Sequence, residues 1–550
     1  MVRISARLWI LVALSGVLQV LAFPIAGPVP IWRCAICWFA LVPLLVALMD
    51  GRGQLRPIHG ALLGYGCGIV WYLGNCYWIY QTMYLYGGLA RPIAFGILVL
   101  FCLYLGLYHA LFGWMVVVLR RSRLGRQGAL LLAPSLWVAV ELARARITGL
   151  PWDLLGIAQV DNPLLIRLAP YTGAYGLSFA IAAVNALWLV RISVKERRWT
   201  RPVLTLGGVL LVVMYVFGLR RMGLPAVEDA SARATLLQEN LEVGAANAGP
   251  QETTGQLLRE FSRLSLEPAR GVLSGIPELA GTRVVPSAGR GGPELSSDIV
   301  VWPESPAPFE EQDELFRAGM SGLARSAGAP MIVGNIAFER SSDPANKRGY
   351  TLRNAASFVA PDGSFAGRYD KLHLVPFGEY VPFKQVFFFA GSLLAEVGNF
   401  EPGRSRAVFA VNGHRYGTFI CYESIFADEV RQFVTGGADV LVNISNDGWY
   451  GDTSAAWQHL NMVRMRAIEN HRWVLRSTNT GVTAAIDPAG RVTASAPRHI
   501  RTAIQVRFGY EHDLTFYAKH GDLFAYLCAA ITTAVLAWSF RRRVDELEMT

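Results

Sequence analysis

The sequence predicts a multi-pass α-helical membrane domain of about eight helices joined to one α/β domain of ordinary globular composition. Three observations carry this. Apolar residues make up 53% of the 550 residues, and mean hydropathy is +0.32, against about 45–50% apolar in soluble domains. The excess is confined to roughly the first 220 residues and a short stretch near the C-terminus. Between them, short β-type runs alternate with amphipathic helical stretches, the pattern of a layered α/β fold.

A spanning helix needs about 20 mostly apolar residues. Stretches that meet this lie near 6–23, 32–49, 58–82, 92–119, 127–144, 172–191, 202–219 and 522–540. The fifth carries Glu141, Arg144 and Arg146 at its end and is the least apolar. The expected organisation is therefore a membrane domain over 1–221 with about seven helices, a globular domain over 232–508 and a C-terminal membrane helix over 522–540. At about 275 residues the globular part is long enough to bury a full core.

Basic residues fix the expected orientation, because Lys and Arg in short loops prefer the cytoplasm. Arg3 and Arg7, Arg52 and Arg56, Arg120 to Arg126, Arg191 to Arg201, and Arg541 to Arg543 fall at alternate loops. Both termini are then cytoplasmic and the globular domain lies on the outer face, with Arg220 and Arg221 against the pattern. The first segment also reads as a cleaved signal peptide, although no small-x-small cleavage site separates it from the second. The formal charge of +10 accompanies these flanks rather than a separate basic face, which favours membrane over nucleic acid as partner. Thr148–Leu155 reads as an interfacial Trp anchor or the lining of a lipid-access cleft.

Of the seven cysteines, only Cys421 falls in the globular domain. It has no partner there for an internal disulfide, so it either packs in a core or reacts. Cys34 and Cys37 stand two residues apart within an apolar segment, without further ligands, and read as small helix residues rather than a metal or redox site.

Strands are expected at Ala234–Gln238, Asp298–Trp302, Met331–Ile336, Ala355–Ala360, Gly417–Cys421, Val440–Ser445, Trp473–Thr478, Thr483–Asp487 and Ala503–Phe508. Helices are expected at Thr254–Leu266, Glu311–Ala327 and Ala455–Asn470. Several strands are continuous apolar runs, as in a sheet covered on both faces. Gly281–Ser297 is rich in Gly, Pro and Ser and reads as a loop. Functional groups in such sheets gather at strand carboxyl ends. Three positions fit: Glu304 in Val-Val-Trp-Pro-Glu-Ser, Lys371 in Tyr-Asp-Lys-Leu-His-Leu-Val-Pro-Phe-Gly-Glu-Tyr-Val-Pro, and Cys421 in Phe-Ile-Cys-Tyr-Glu. A thiol attacks as thiolate, a carboxylate can take its proton, and an ammonium can stabilise the anions that form. Each residue alone reads more simply as a cap, a solvated charge or a core thiol; the three together favour a site.

These motifs resemble the nitrilase, or carbon-nitrogen hydrolase, superfamily, and more narrowly the bacterial apolipoprotein N-acyltransferases. The Phe377–Pro382 and Cys421–Glu423 runs are the most specific, and the eight-helix layout fits across nearly the whole chain. The resemblance implies an α-β-β-α sandwich in the bacterial inner membrane, with the catalytic domain on the periplasmic face. It implies an acyltransferase with a Glu304–Lys371–Cys421 triad and supporting roles for Glu379, Tyr422 and Glu423. Its donor would be a phospholipid, phosphatidylethanolamine, giving its sn-1 chain. Its acceptor would be the N-terminal amine of diacylglyceryl-cysteine in an apolipoprotein, in the last step of lipoprotein maturation. It implies a thioester on Cys421, an oxyanion held by Lys371 and the Tyr422 N–H, no metal or cofactor, and a monomer. Asn443–Trp449 is expected to line the pocket. Phe383–Gly391 reads either as a lipid-dipping lid or as a core helix. The segment 240–297 departs from the family pattern, with no Trp between Asn240 and Trp302. The competing readings are a membrane-tethered amidase using the same triad, a lipid or lipoprotein binder, which has no need of all three groups, and a transporter, which the scarcity of intramembrane charge disfavours.

Overall fold

The computed structural model describes residues 4–50, 55–193, 230–243, 252–269, 296–304, 307, 309–341, 349–380 and 400–548. Two compact units emerge. One draws on Met1–Tyr80, Phe95–Gly223 and His520–Thr550, the other on Gln81–Ala94 and Leu224–Lys519. The expected segment at 202–219, the Phe383–Gly391 run and most of the Gly281–Ser297 loop lie outside the described residues.

In the first unit, among the described residues, four helices are long and apolar enough to cross a membrane: Arg91–Arg120, Gly125–Thr148, Leu165–Val190 and Leu523–Arg541. The other four expected segments are not of this kind or lie outside the described residues. The stretch near 32–49 is broken into a 3-10 turn at Ile31–Ile36 and helices Cys37–Ala40 and Val42–Leu48. Ala6–Leu21 has only 16 residues, and the third candidate ends as a helix at Asn75.

Small residues let these helices approach closely, the usual solution where burial of apolar surface gives no drive. A Cβ on Gly64 would lie 2.1 Å from the His109 carbonyl oxygen, and one on Gly113 would lie 2.2 Å from that of Gly60. The charges that weakened the fifth segment are matched internally. Glu141 Oε1 accepts from Trp137 Nε1 (3.0 Å) and the Leu155 N–H (2.8 Å), and Arg144 Nη1 donates to the Tyr72 hydroxyl (3.1 Å). Arg146 pairs with Asp522 at 2.6 Å. Trp152 is 2% exposed and packs on Trp78 at 4.9 Å between ring centroids, so it is a core residue of this unit rather than an interfacial anchor. Cys34 and Cys37 are free thiols, and Cys37 is fully buried.

The second unit is built on two six-stranded mixed sheets. The strands are β1 (Ala232–Gln238), β2 (Ile299–Val301), β3 (Met331–Arg340), β4 (Tyr350–Val359), β5 (Phe365–Asp370), β6 (Val408–Val411), β7 (His414–Ile420), β8 (Val440–Ser445), β9 (Val474–Thr478), β10 (Ala484–Ile486), β11 (Val492–Ser495) and β12 (Thr502–Phe508). The sheet orders are β12-β1-β2-β3-β4-β5 and β11-β10-β9-β8-β7-β6. The triplets β1-β2-β3 and β7-β8-β9 are parallel, and the outer strands pair antiparallel. The central strands are buried on both faces, as in a sheet covered on both sides.

Helices Thr254–Leu266 and Glu314–Ala327 cover the first sheet, and Ala427–Thr435 and Ala455–Asn470 cover the second. The two sheets face each other, giving an α-β-β-α order of layers. Ser477 on β9 joins them, donating to the Leu237 carbonyl at 2.5 Å. The first two helices start where the sequence supplies caps. Thr253 and Gln256 form a reciprocal capping box, and Asp313 accepts from the N–H groups of Leu315 and Phe316, each cap contributing about 1 kcal/mol. Trp302, Phe261, Phe309 and Phe316 fill the space between the first sheet and its helices.

The helix contact at Gly64 sets a stability test. Gly64→Val must drive the helices apart and is expected to lower the stability of detergent-solubilised protein by about 3 kcal/mol, read from thermal unfolding. Gly96→Ala, where nothing lies within 4 Å, is expected to leave it unchanged or slightly raised by helix propensity.

Candidate active site

Three strands of the second unit end at one place. Glu304 follows β2, separated from it by Trp302, whose N–H still donates to Ile332 (2.8 Å), and by Pro303, which cannot continue the ladder. Lys371 is the residue immediately after β5, and Cys421 the residue immediately after β7. Cys421 has φ +47°, a left-handed conformation that costs a non-glycine residue roughly 1–3 kcal/mol. It turns the chain from strand into the 3-10 turn Cys421–Ile425.

The charged groups are interlocked. Lys371 Nζ donates to Glu304 Oε1 (2.9 Å) and Glu379 Oε1 (3.0 Å). Asn354 Nδ2 spans the same two oxygens at 2.6 and 2.7 Å. The remaining oxygens take backbone donors: Glu304 Oε2 from Asn446 N–H (2.8 Å) and Glu379 Oε2 from Val375 N–H (2.7 Å). The lysine side chain is 1% exposed, those of Glu304 and Glu379 8% and 11%. Burial works against the ammonium charge, but Glu304 and Glu379 outweigh it and hold the Lys371 pKa well above its usual value. Burial, reinforced by Glu304, pushes the Cys421 thiol well up, against the pull of Lys371. Cys421 therefore rests as a thiol beside a carboxylate and a fixed cation. Such a set can move a proton from sulfur to carboxylate as a bond forms, and can then hold negative charge on oxygen.

The supporting residues divide. Glu379 is part of the charged cluster. Glu423 is not, and it meets no basic side chain as its hydrogen-bond partner. Its Oε1 accepts from the Tyr369 hydroxyl (2.7 Å) and the N–H groups of Leu372 (2.6 Å) and His373 (3.2 Å), and its Oε2 from Ile420 N–H (2.7 Å). Burial pushes its carboxyl up to about 7 in spite of these donors. It ties the loop after Lys371 to the strand before Cys421. Tyr422 is 7% exposed and packs edge-on against Phe426.

Asn443–Trp449 does line the site, through the Asn446 N–H on Glu304. Two features are absent from the sequence expectation. Asn354 sits mid-strand in β4, beside Arg353 in a run of mixed polar and apolar residues that gave no signal of a site. Beneath Cys421 lies a fully buried set of Asp447, His459, Arg476, Ser424 and Ser445, polar residues on elements that read as core.

Residues 15–187 match the family model described as Apolipoprotein N-acyltransferase N-terminal domain, and residues 276–508 that of Carbon-nitrogen hydrolase. The chain is 35% identical over 549 residues to the apolipoprotein N-acyltransferase of Geobacter metallireducens, covering 98% of this chain and 96% of that one. It is 33% identical to that of Methylococcus capsulatus, covering 92% of each. A solved nitrilase-superfamily structure, Saccharomyces cerevisiae Nit3, aligns with 50% of this chain and 90% of its own at 16% identity and TM-score 0.35. The chain belongs to the apolipoprotein N-acyltransferase family.

Gly334 on β3 backs the carboxylate: a Cβ there would lie 2.1 Å from the Pro303 carbonyl oxygen and 2.8 Å from Glu304 Cα. Gly334→Ala is therefore expected to displace Glu304 and slow acylation of Cys421 by an activated ester about 100-fold, measured as burst rate. Gly319→Ala, where the nearest atom is 3.7 Å away, is expected to leave the burst unchanged.

Proposed function

We propose that this chain transfers the sn-1 acyl chain of a phospholipid, phosphatidylethanolamine in the cell, to the N-terminal amine of diacylglyceryl-cysteine in apolipoproteins. That is the final step of lipoprotein maturation. The observation that carries the reading is the buried Glu304–Lys371–Glu379 cluster meeting Cys421 at three strand ends, in a chain whose relatives over nearly their full length carry the apolipoprotein N-acyltransferase name.

The chemistry balances with the residues present. Cys421 sulfur bonds to the ester carbonyl carbon while its proton passes to Glu304. Lys371 and the Tyr422 N–H hold the oxyanion. The ester C–O bond breaks, the departing alkoxide takes the proton from Glu304, and lysophospholipid leaves a thioester on Cys421. The apolipoprotein amine attacks this thioester, giving its proton to Glu304. The C–S bond breaks and the thiolate recovers the proton. Lys371, Asn354 and the Asn446 N–H fix both oxygens of Glu304 for these transfers. Neither step calls on a metal or cofactor.

Placement follows from the same reading: a monomer in the inner membrane, the catalytic domain on the periplasmic face and both termini cytoplasmic. The apolar helices and the alternation of basic loops support it. The second reading, a membrane-tethered amidase, draws on the carbon-nitrogen hydrolase match. It differs in letting water rather than an amine resolve the thioester.

Intact-protein mass spectrometry decides between them. Incubating the wild type with phospholipid vesicles is expected to add one acyl mass, labile to neutral hydroxylamine and absent from Cys421→Ala. A diacylglyceryl-cysteine peptide then removes it and gains the acyl group. Glu304→Gln is expected to slow acylation by about 10²–10⁴-fold. A wild type that binds lipid yet stays unmodified would move the assignment to the amidase.

A further inference from the structure

The group beneath the nucleophile is not used by these steps. His459, on helix Ala455–Asn470, is fully buried. Its Nε2 lies 3.0 Å from the Cys421 carbonyl oxygen and 2.6 Å from Ser424 Oγ, and its Nδ1 lies 2.9 Å from Asp447 Oδ1. Asp447 is itself fixed: Oδ1 accepts from Ser445 Oγ (2.8 Å) and Oδ2 from Arg476 Nη2 (2.6 Å). Arg476 also donates to Asn443 Oδ1. Burial works against the Asp447 charge, but Arg476 and His459 outweigh it and hold the carboxyl below its usual range. The arrangement resembles a Ser-His-Asp triad, but its serine is wholly buried and cannot meet a substrate.

The Cys421 carbonyl oxygen only accepts hydrogen bonds, so its 3.0 Å contact with His459 is made by a hydrogen on Nε2.

The consequence lies in one peptide unit. The Cys421 carbonyl and the Tyr422 N–H belong to the same planar trans peptide and point in opposite directions. A donor that holds the carbonyl on the buried side therefore fixes the N–H toward the opposite side. This peptide also needs holding, since Cys421 sits at φ +47° and a strained residue persists only when its surroundings over-determine it. We infer that His459 is a positioning residue for acyl transfer: through the Cys421 carbonyl it aims the Tyr422 N–H at the oxyanion, and Asp447 and Arg476 orient its ring. This rests on the acyl-transfer reading above.

Two reactions of the same sulfur separate this role from general support. Attack on an ester develops an oxyanion; alkylation by iodoacetamide does not. In full-length protein in detergent, His459→Ala is expected to slow Cys421 acylation by p-nitrophenyl palmitate on the order of 30-fold or more. Its alkylation at Cys421, read by peptide mass spectrometry, should change less than about threefold. His459→Gln, which restores a donor near the Nε2 position, is expected to recover acylation to within about tenfold of wild type. The inference is overturned if both rates fall together, if acylation is unchanged, or if Gln is as slow as Ala. A phospholipid arm run in parallel keeps the two readings apart. Wild type that accepts the p-nitrophenyl ester but not phospholipid sinks the donor assignment, and the His459 ratio still decides the inference. Wild type that accepts neither overturns both.

Discussion

A single ammonium group, shared by two buried carboxylates, organises the catalytic unit. Lys371 lies between Glu304 and Glu379, and burying such charges is tolerated only with close pairing and full hydrogen bonding. Each partner comes from a different part of the chain. Glu304 follows β2, Lys371 follows β5, Asn354 lies in β4, Asn446 follows β8, and Glu379 comes from the loop beyond Lys371. The cluster is satisfied only if both sheets are in register and their strand ends meet. The backbone enforces this as well: Lys371 N–H donates to Asn354 at 2.9 Å, and its carbonyl accepts from Gly403 at 2.8 Å.

The same constraint supports the proposed chemistry. A cation neutralised from two sides is held in place and stays charged, so it can meet a developing oxyanion without moving. The thiol, pushed up by burial and by Glu304, remains protonated until substrate gives its charge somewhere to go. Below it, at the left-handed turn, the Cys421 carbonyl oxygen lies 3.0 Å from the buried His459 Nε2.

What the sequence discloses follows burial. Strands β1, β2, β3, β4, β7, β8, β9, β10 and β12 overlap expected strands, and helices Thr254–Leu266 and Ala455–Asn470 have the expected ends. The strands not foreseen are β5, β6 and β11, and each lies at the edge of its sheet. Edge strands carry mixed residues: β5 is Phe-Ala-Gly-Arg-Tyr-Asp, with Arg368 paired to Glu311 at 2.6 Å. The nine-residue helix Ala427–Thr435 was too short to show a clear period. In the membrane-type unit, hydropathy found apolar segments but not the 3-10 turn and short helices that divide 32–49. The residues proposed for chemistry stood out because a carboxylate, a lysine and a thiol at strand ends are costly unless used. Asn354 and His459 did not, because their partners are distant in sequence and only the fold brings them together.

The most direct test is a double-mutant cycle on stability, measured by denaturation of the full-length protein at pH 8. Lys371→Met alone leaves two buried carboxylates without their cation and is expected to cost about 3–5 kcal/mol. Adding Glu379→Gln to it removes one of those charges and is expected to recover a large part of that loss, a coupling of about 2 kcal/mol. Additive losses would mean that the ammonium and the carboxylates do not depend on one another, and would contradict the account at its base.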